Sequence, residues 1–570
     1  MPKSSRGLGA LALSAVIAMG LSACGGSSSG GSSSGGSSAR TPASGHSTSI
    51  PATSNGAQSI TYLMGTAPDY LDPQLGITTQ SAEATWLAYL GLYSYAHAGG
   101  SAGTRIIPAL ATALPRISAD GKTYTMQLRH GLTYSNGAPV KPGDFAFAIQ
   151  RAIKLNWNNK QFFTQNIVGA DAFDKGRAKA ISGIASDPSG RITVRLLAPY
   201  GAFANVMAYS AAGLIPTGTP LSNQTNHPPP GVGPYEIKSV VPNQSFSEVR
   251  NPRWAAQAIP GIPAGHVDVN VRIDSNTQTE ADTVLGNSAD VFDWGDTVPP
   301  STLPQVKSQA ANRYGAQSTP LTLYFFLNSK TKPFSNQLAR EAVNYALDRR
   351  ALSRLDSGNI TPDCYFLPPG LVGHPTAPCP YGDPTQAPNL ARARQLVSQS
   401  GMAGTPVTVW GQTRSPRKEY VDYYASVLNS IGFKASEKIV ADSTYFATIG
   451  NVKTNAQTGF ADWQQDFPNQ IDFYQLLDAK SIQPTGNNNY GLIDDPHVQS
   501  SLGTLGKIPS TQLDSASGGW SALDQYVAQK AYVAVFGYEL VPKFFSARMD
   551  FAGAIFHPLY GNDWSSLRVR

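Results

Sequence analysis

Gly25 to Ser38 consists of Gly and Ser, broken by no other residue type, and a polar low-complexity tract continues to about Asn55. Sequence of this kind cannot bury a core and behaves as a flexible coil. It therefore divides the 570-residue chain into a short leader and a body of roughly 510 residues that must supply whatever folds. A single core rarely serves more than about 250–300 residues. Two large lobes are expected.

The leader has its own pattern. Lys3 and Arg6 precede an apolar stretch from about Leu8 to Leu21. That stretch is too short to cross a bilayer, which takes about 20 apolar residues, and it fits the central region of a secretory signal peptide. Leu21-Ser22-Ala23-Cys24 then resembles a bacterial lipobox, in which the cysteine thiol receives a diacylglyceryl group and becomes the first mature residue. Residues 1–23 thus read as a signal peptide, and residues 24–56 as a lipidated Cys24 with its tether. Two acyl chains hold stably to a membrane, whereas one binds marginally. The expected location is the outer face of the cytoplasmic membrane, at a cell surface or in a periplasm, with the lipid as the membrane contact. No hydrophobic stretch after residue 24 has the length of a membrane helix.

The formal charge is +6, of which Lys3 and Arg6 supply two, and no basic run is present to track phosphates. Nucleic acid is not an expected partner. Charged residues make up 14%, against about 25% in an average chain, so the surface must rely on uncharged polar groups. Beyond Cys24 there are two cysteines, Cys364 and Cys379, in a Pro/Gly-rich loop. In an oxidising compartment a close, even pair points to a disulfide. The rival is a metal site completed by His374, although two cysteines and one histidine at this spacing make a poor zinc pattern.

Strand and helix signals alternate along the body. Ser59 to Leu63, Thr123 to Leu128 and Ile192 to Leu196 read as strands, and Lys141-Pro142-Gly143-Asp144 opens a helix whose apolar residues Phe145, Ala148, Ile149 and Ala152 recur at helical spacing. Asp144 is placed to cap that helix. A longer helix is expected from about Ser335 to Leu355. The clearest unit is a strand at Val407 to Trp410, a helix announced by Ser415-Pro416 and carrying Tyr420, Tyr424, Val427, Leu428 and Ile431 on one face, a stop at Gly432, and a strand from Phe433 to Val440. The class is α/β.

Five segments then carry a resemblance. Tyr124, Leu128, Arg129, Gly131, Ser135, Asn136, Gly137, Pro139, Val140, Asp144, Phe145 and Arg151 follow the order Tyr-x-x-x-Leu-Arg-x-Gly, Ser-Asn-Gly-x-Pro-Val, Asp-Phe, helix ending in Arg. Leu71-Asp72-Pro73, Gly231-Val232-Gly233-Pro234-Tyr235, Asn328 through Arg349, and Trp463-Gln464-Gln465-Asp466-Phe467-Pro468 occur around it in order. Together they resemble the oligopeptide- and dipeptide-type solute-binding proteins of ABC importers, from about residue 57 to the end. The resemblance implies a two-lobed periplasmic-binding-protein fold with an extra subdomain and a ligand cleft between the lobes. Residues 57–320 with 533–570 would form one lobe and 321–532 the other, with the chain crossing near Thr319 to Tyr324 and returning near Tyr532 to Tyr538. It implies a monomer that delivers oligopeptides to permease subunits.

By the same resemblance, Asp466 would receive a peptide's amino terminus and Trp463 would wall the pocket. Tyr445, Asn489, Thr78 and Thr79 would also line it. From the residues alone, without the resemblance, Asp466 reads as the cap of a turn before Pro468. Phe460 stands where some members carry an arginine, so the anchor for a peptide carboxylate is not identified, and Arg414 is a candidate. Relatives of this fold also bind nickel chelates, haem, sugars or opines, which leaves a non-peptide solute as the alternative ligand. No catalytic residue, cofactor or metal is expected. Gly26-Ser27-Ser28-Ser29-Gly30 matches a hydrolase pattern, but it lies in the tether, without the strand and helix that pattern requires.

Overall fold

The computed structural model describes residues 58–570, apart from the side chains of Asp442 and Ser443. The leader, Cys24 and the tether lie outside the described residues.

Apolar residues collect in separate cores that follow the chain in blocks. The first core draws on residues 60 to 291 and is joined again by Phe545, Met549, Leu559, Tyr560, Trp564 and Leu567. Two others draw entirely on residues 321 to 536. Two long antiparallel strands, Tyr314–Leu327 and Val533–Phe544, connect these blocks. The first is partly exposed from Tyr314 to Ser318 and buried from Thr319 onward, and the pairing shifts register between Ser318 and Thr322. The bulge re-aims the strand as it leaves one core for the next.

Three larger sheets frame the fold. Ser59–Met64 pairs in parallel with Asp268–Ile273, which continues antiparallel to Ser245–Arg250 and then Tyr235–Val241. Thr123–Gln127 and Arg191–Arg195 form the centre of a second, antiparallel sheet. The third has six strands in the order Ile360–Thr361, Val533–Phe544, Tyr314–Leu327, Thr458–Gln464, Pro406–Gln412, Lys434–Val440. Its last two strands are parallel and are joined by the helix Arg417–Ser430, which buries Tyr420, Tyr424, Val427 and Leu428.

Local details depart from the sequence reading. The helix expected over 335–355 is two, Gln337–Ala346 and Arg349–Leu355, because the Asp348 carboxylate accepts from the amides of Arg350 and Ala351 and so starts a second helix. The helix after Ser415 begins at Arg417 with Pro416 in the capping position, and no side chain caps it. Asp144 does not cap its helix either. It is buried, and its carboxylate accepts from Lys141 N, Tyr134 OH and the Thr217 hydroxyl, which ties the turn to a distant loop.

Two of the segments that carried the resemblance meet through a buried ion pair, and a third packs close to the helix Thr79–Trp86. Arg151 forms a fully buried bidentate pair with Asp72, at 2.6 and 2.7 Å, and also donates to the carbonyls of Pro220 and Ser222. Gly231 and Gly233 pass so close to the Ala88 and Leu87 carbonyls that a Cβ would lie 2.0 and 1.9 Å from those oxygens. Both contacts support the helix Thr79–Trp86, whose first residues reach the site. Cys364 and Cys379 form a disulfide with Cα atoms 6.0 Å apart. Among the described residues, the one His/Cys/Asp/Glu group compact enough to hold a metal contains this pair, whose sulfurs are already bonded to each other. His374 is turned to the Leu367 carbonyl at 2.8 Å. No helix among the described residues is long and apolar enough to cross a membrane.

Candidate functional site

A cavity of about 160 Å³ lies between residues of the first core and the strand end at Gln464. One wall is the start of the helix Thr79–Trp86. Thr78 caps it by accepting from Ser81 N, and its hydroxyl donates to Asp69 at 2.9 Å. The helix is held from below by Glu83, a buried carboxylate that accepts from Tyr62 OH, Trp294 Nε1 and Trp564 Nε1. Further along, Trp86 stacks on Tyr560 at 4.2 Å, and Tyr209 adds a third aromatic surface. Gln464, Gln465 and Asp466 form the opposite wall.

Asp466 carries the charge of the site. Among the described residues its carboxylate makes no hydrogen bond or ion pair, while its amide donates to Asp472 Oδ2 at 2.7 Å and its carbonyl accepts from Tyr209 OH at 3.0 Å. The turn before Pro468 is therefore tied by Asp472, not capped by Asp466. Burial pushes the Asp466 carboxyl up to about 6. Asp472, wholly buried and also held by Gln475 Nε2 at 3.1 Å, is pushed well above the carboxylate range by burial first and by the neighbouring Asp466 charge second. Two carboxyl groups this close cannot both ionise cheaply, so the pair retains a proton and presents one negative charge near neutral pH.

Buried polar atoms without partners concentrate on this wall. They include Gln464 Nε2 and both side-chain polar atoms of Gln465. An unsatisfied buried donor or acceptor costs about 1–3 kcal/mol, so a run of them beside a cavity is a surface suited to a polar ligand.

Of the residues expected at the site, Thr78, Thr79 and Asp466 line the cavity. Trp463 lies on the adjoining strand opposite Thr322, half-buried, and flanks the cavity without lining it. Tyr445 does not reach it. Its ring is fully buried and its hydroxyl is committed to the carbonyls of Trp410 and Phe460 at 3.0 and 2.7 Å. Asn489 is likewise a structural clamp, bonded to the carbonyls of Asp478 and Ile493 and to Ile493 N. Phe460 packs in the core with Tyr420. Arg414 is exposed and close enough to Asp296 to favour that carboxylate's charged form. Sequence reasoning missed Trp86, Tyr209, Tyr560, Gln465 and Asp472. The first three come from distant segments with no motif of their own, and Gln465 could have been singled out by its place beside Asp466.

The structure is shut across the cavity. Besides the Tyr209–Asp466 bond, Gly201 N donates to Gly506 O at 3.0 Å, Ser510 N donates to Gly201 O at 2.8 Å, and Phe162 meets Phe467 edge-on at 5.6 Å.

Residues 105–484 match the family model described as bacterial extracellular solute-binding proteins, family 5 middle. A glutathione-binding protein, GsiB, from Escherichia coli O1:K1 is 25% identical over 368 residues, which cover 61% of this chain and 66% of that protein. A solved structure titled clavulanic acid biosynthesis oligopeptide binding protein 2 superposes with a TM-score of 0.82 at 21% identity, covering 90% of this chain and 96% of that one. The unliganded open form of the periplasmic murein tripeptide binding protein MppA gives 0.74 at 18% identity, covering 90% and 98%. These two likenesses carry the fold, a two-lobed α/β architecture.

Proposed function

Since this chain belongs to the bacterial extracellular solute-binding proteins of family 5, a family of binding proteins and not of enzymes, we propose that it captures short peptides by their amino terminus and delivers them to the permease of an ABC importer. The observation that carries the reading is Asp466. It is a carboxylate with no partner among the described residues, set in a cavity with aromatic walls and with buried, unpaired amide groups beside it. A buried charge demands a counter-charge, and a peptide brings an ammonium together with a chain of donors and acceptors. The names of the similar proteins point the same way: an oligopeptide, a murein tripeptide and glutathione.

In this reading residues 57–320 with 533–570 form one lobe and residues 321–532 the other, and the two close by a hinge on the paired strands Tyr314–Leu327 and Val533–Phe544. A monomer at the outer membrane face, tethered through a lipid on Cys24, would let the body move freely above its anchor. Cys24→Ser should then release the protein from membranes; unchanged retention would remove the anchor from the account. The ligand itself is tested by mass spectrometry of what co-purifies with the tetherless body. Peptides with free amino termini are expected. A nickel chelate, haem, sugar or opine in their place would transfer the site to the non-peptide alternative.

A further inference from the structure

Gln465 is the least explained residue at the site. It is 5% exposed, yet neither Nε2 nor Oε1 of its side chain has a hydrogen-bond partner among the described residues. Across the cavity the polar groups are satisfied: Thr78 bonds Asp69 and Ser81, and Tyr209 bonds the Asp466 carbonyl. The Gln465 backbone is fixed, because its amide donates to the Pro320 carbonyl at 3.0 Å, next to the point where the long strand changes register. Gln465 therefore arrives at the cavity wall on a rigid element, immediately before Asp466, and brings one donor and one acceptor in a fixed plane. Burying both unpaired is costly, and an apolar side chain of equal size would avoid that cost.

We propose that Gln465 is a specificity-determining residue that reads the backbone of a bound peptide. Its Oε1 accepts the N–H, and its Nε2 donates to the C=O, of a single extended ligand residue. The chemistry fits because, in an extended chain, the N–H and C=O of one residue project from the same edge, as in the closely spaced pair of an antiparallel ladder. A carboxamide supplies the complementary donor and acceptor at one point. Asp466 beside it selects the charged end of the ligand, and Gln465 selects a secondary amide over any group lacking an N–H. The inference rests on the peptide reading given above and adds a residue and a chemical criterion to it.

The test uses tri-alanine and two depsipeptide versions in which an ester oxygen replaces one amide N–H, each titrated into the wild-type body, Gln465→Met and Gln465→Glu. In the wild type one ester should bind about tenfold more weakly than tri-alanine, the effect of stranding one buried acceptor. Gln465→Met has no acceptor to strand, so the difference between that ester and tri-alanine should vanish. Gln465→Glu keeps the oxygen, so the difference should persist, and this variant also covers a folding defect in the methionine form. If the wild type binds tri-alanine but the ester penalty is as large in Gln465→Met, the assignment to Gln465 is wrong and the peptide reading stands. If wild type and both variants all fail to bind tri-alanine at millimolar concentration, the peptide reading falls and takes this assignment with it.

Discussion

Lowering the pH from 7 to 5 should weaken peptide binding about tenfold, and the origin is the Asp466–Asp472 pair. Asp466 and Asp472 share one proton near neutral pH, and the negative charge of the pair is in place once the pH exceeds about 6. At pH 7 roughly nine-tenths of the molecules hold that charge, and at pH 5 roughly one-tenth do, so the population able to pair an ammonium drops about tenfold, or about 1.4 kcal/mol. Above about pH 8 the peptide's α-amino group loses its own proton, and affinity should fall again. The profile is a bell with its maximum between about 6 and 8. The empty protein should behave oppositely. A carboxyl whose folded pKa lies above its unfolded value binds more protons when folded, so its contribution to stability is greatest at low pH and is lost as pH rises from about 4 to 6. Glu83 and Glu280, also raised by burial, act in the same direction. Isothermal titration of tri-alanine at pH 5, 6, 7 and 9 reads the bell, and buffers of different ionisation enthalpy at pH 6 should reveal a proton released on binding. Equal affinity at pH 5 and pH 7 would refute the charge assignment.

Two substitutions test the frame around the site. Gly201→Ala would place a Cβ 2.1 Å from the Ile508 carbonyl, and overpacking of this kind costs about 1–3 kcal/mol. Peptide affinity should drop about tenfold or more, with the peptide-bound radius of gyration in solution scattering larger than that of the wild type. Arg151→Met removes one half of the buried pair with Asp72 and leaves the carboxylate stranded. It should cost about 3–5 kcal/mol of stability, read as a lower urea midpoint at unchanged slope.

What could be read in the sequence was local or motif-borne. The strand–helix–strand unit around Arg417–Ser430 was visible because Tyr420, Tyr424, Val427 and Leu428 recur at helical spacing and Gly432, with φ of 112°, ends the run. Thr78, Thr79 and Asp466 were reachable through segments with a recognisable order. Tyr445 and Asn489 do not line the cavity: a polar aromatic and an amide look alike in sequence whether they face a ligand or a buried carbonyl, and only the tertiary partners, Trp410 O and Phe460 O for one and Ile493 for the other, show where they point. The break at Asp348 was hidden for a related reason: the apolar period continues through it, and the cap that restarts the helix is one side chain. Trp86, Tyr209 and Tyr560 come together from positions more than 100 residues apart, which no single-sequence pattern encodes.

The central claim is that Asp466 receives the ammonium of a peptide. Titration of tri-alanine and N-acetyl-tri-alanine into wild type and Asp466→Asn tests it in one square of four measurements. Removing one partner of a buried charge pair costs about 2–5 kcal/mol. Acetylation should therefore weaken binding to the wild type by roughly 30-fold to several-thousand-fold, Asp466→Asn should weaken tri-alanine similarly, and acetylation should cost little further in the variant. An N-acetylated peptide that binds the wild type as tightly as the free one would contradict the account.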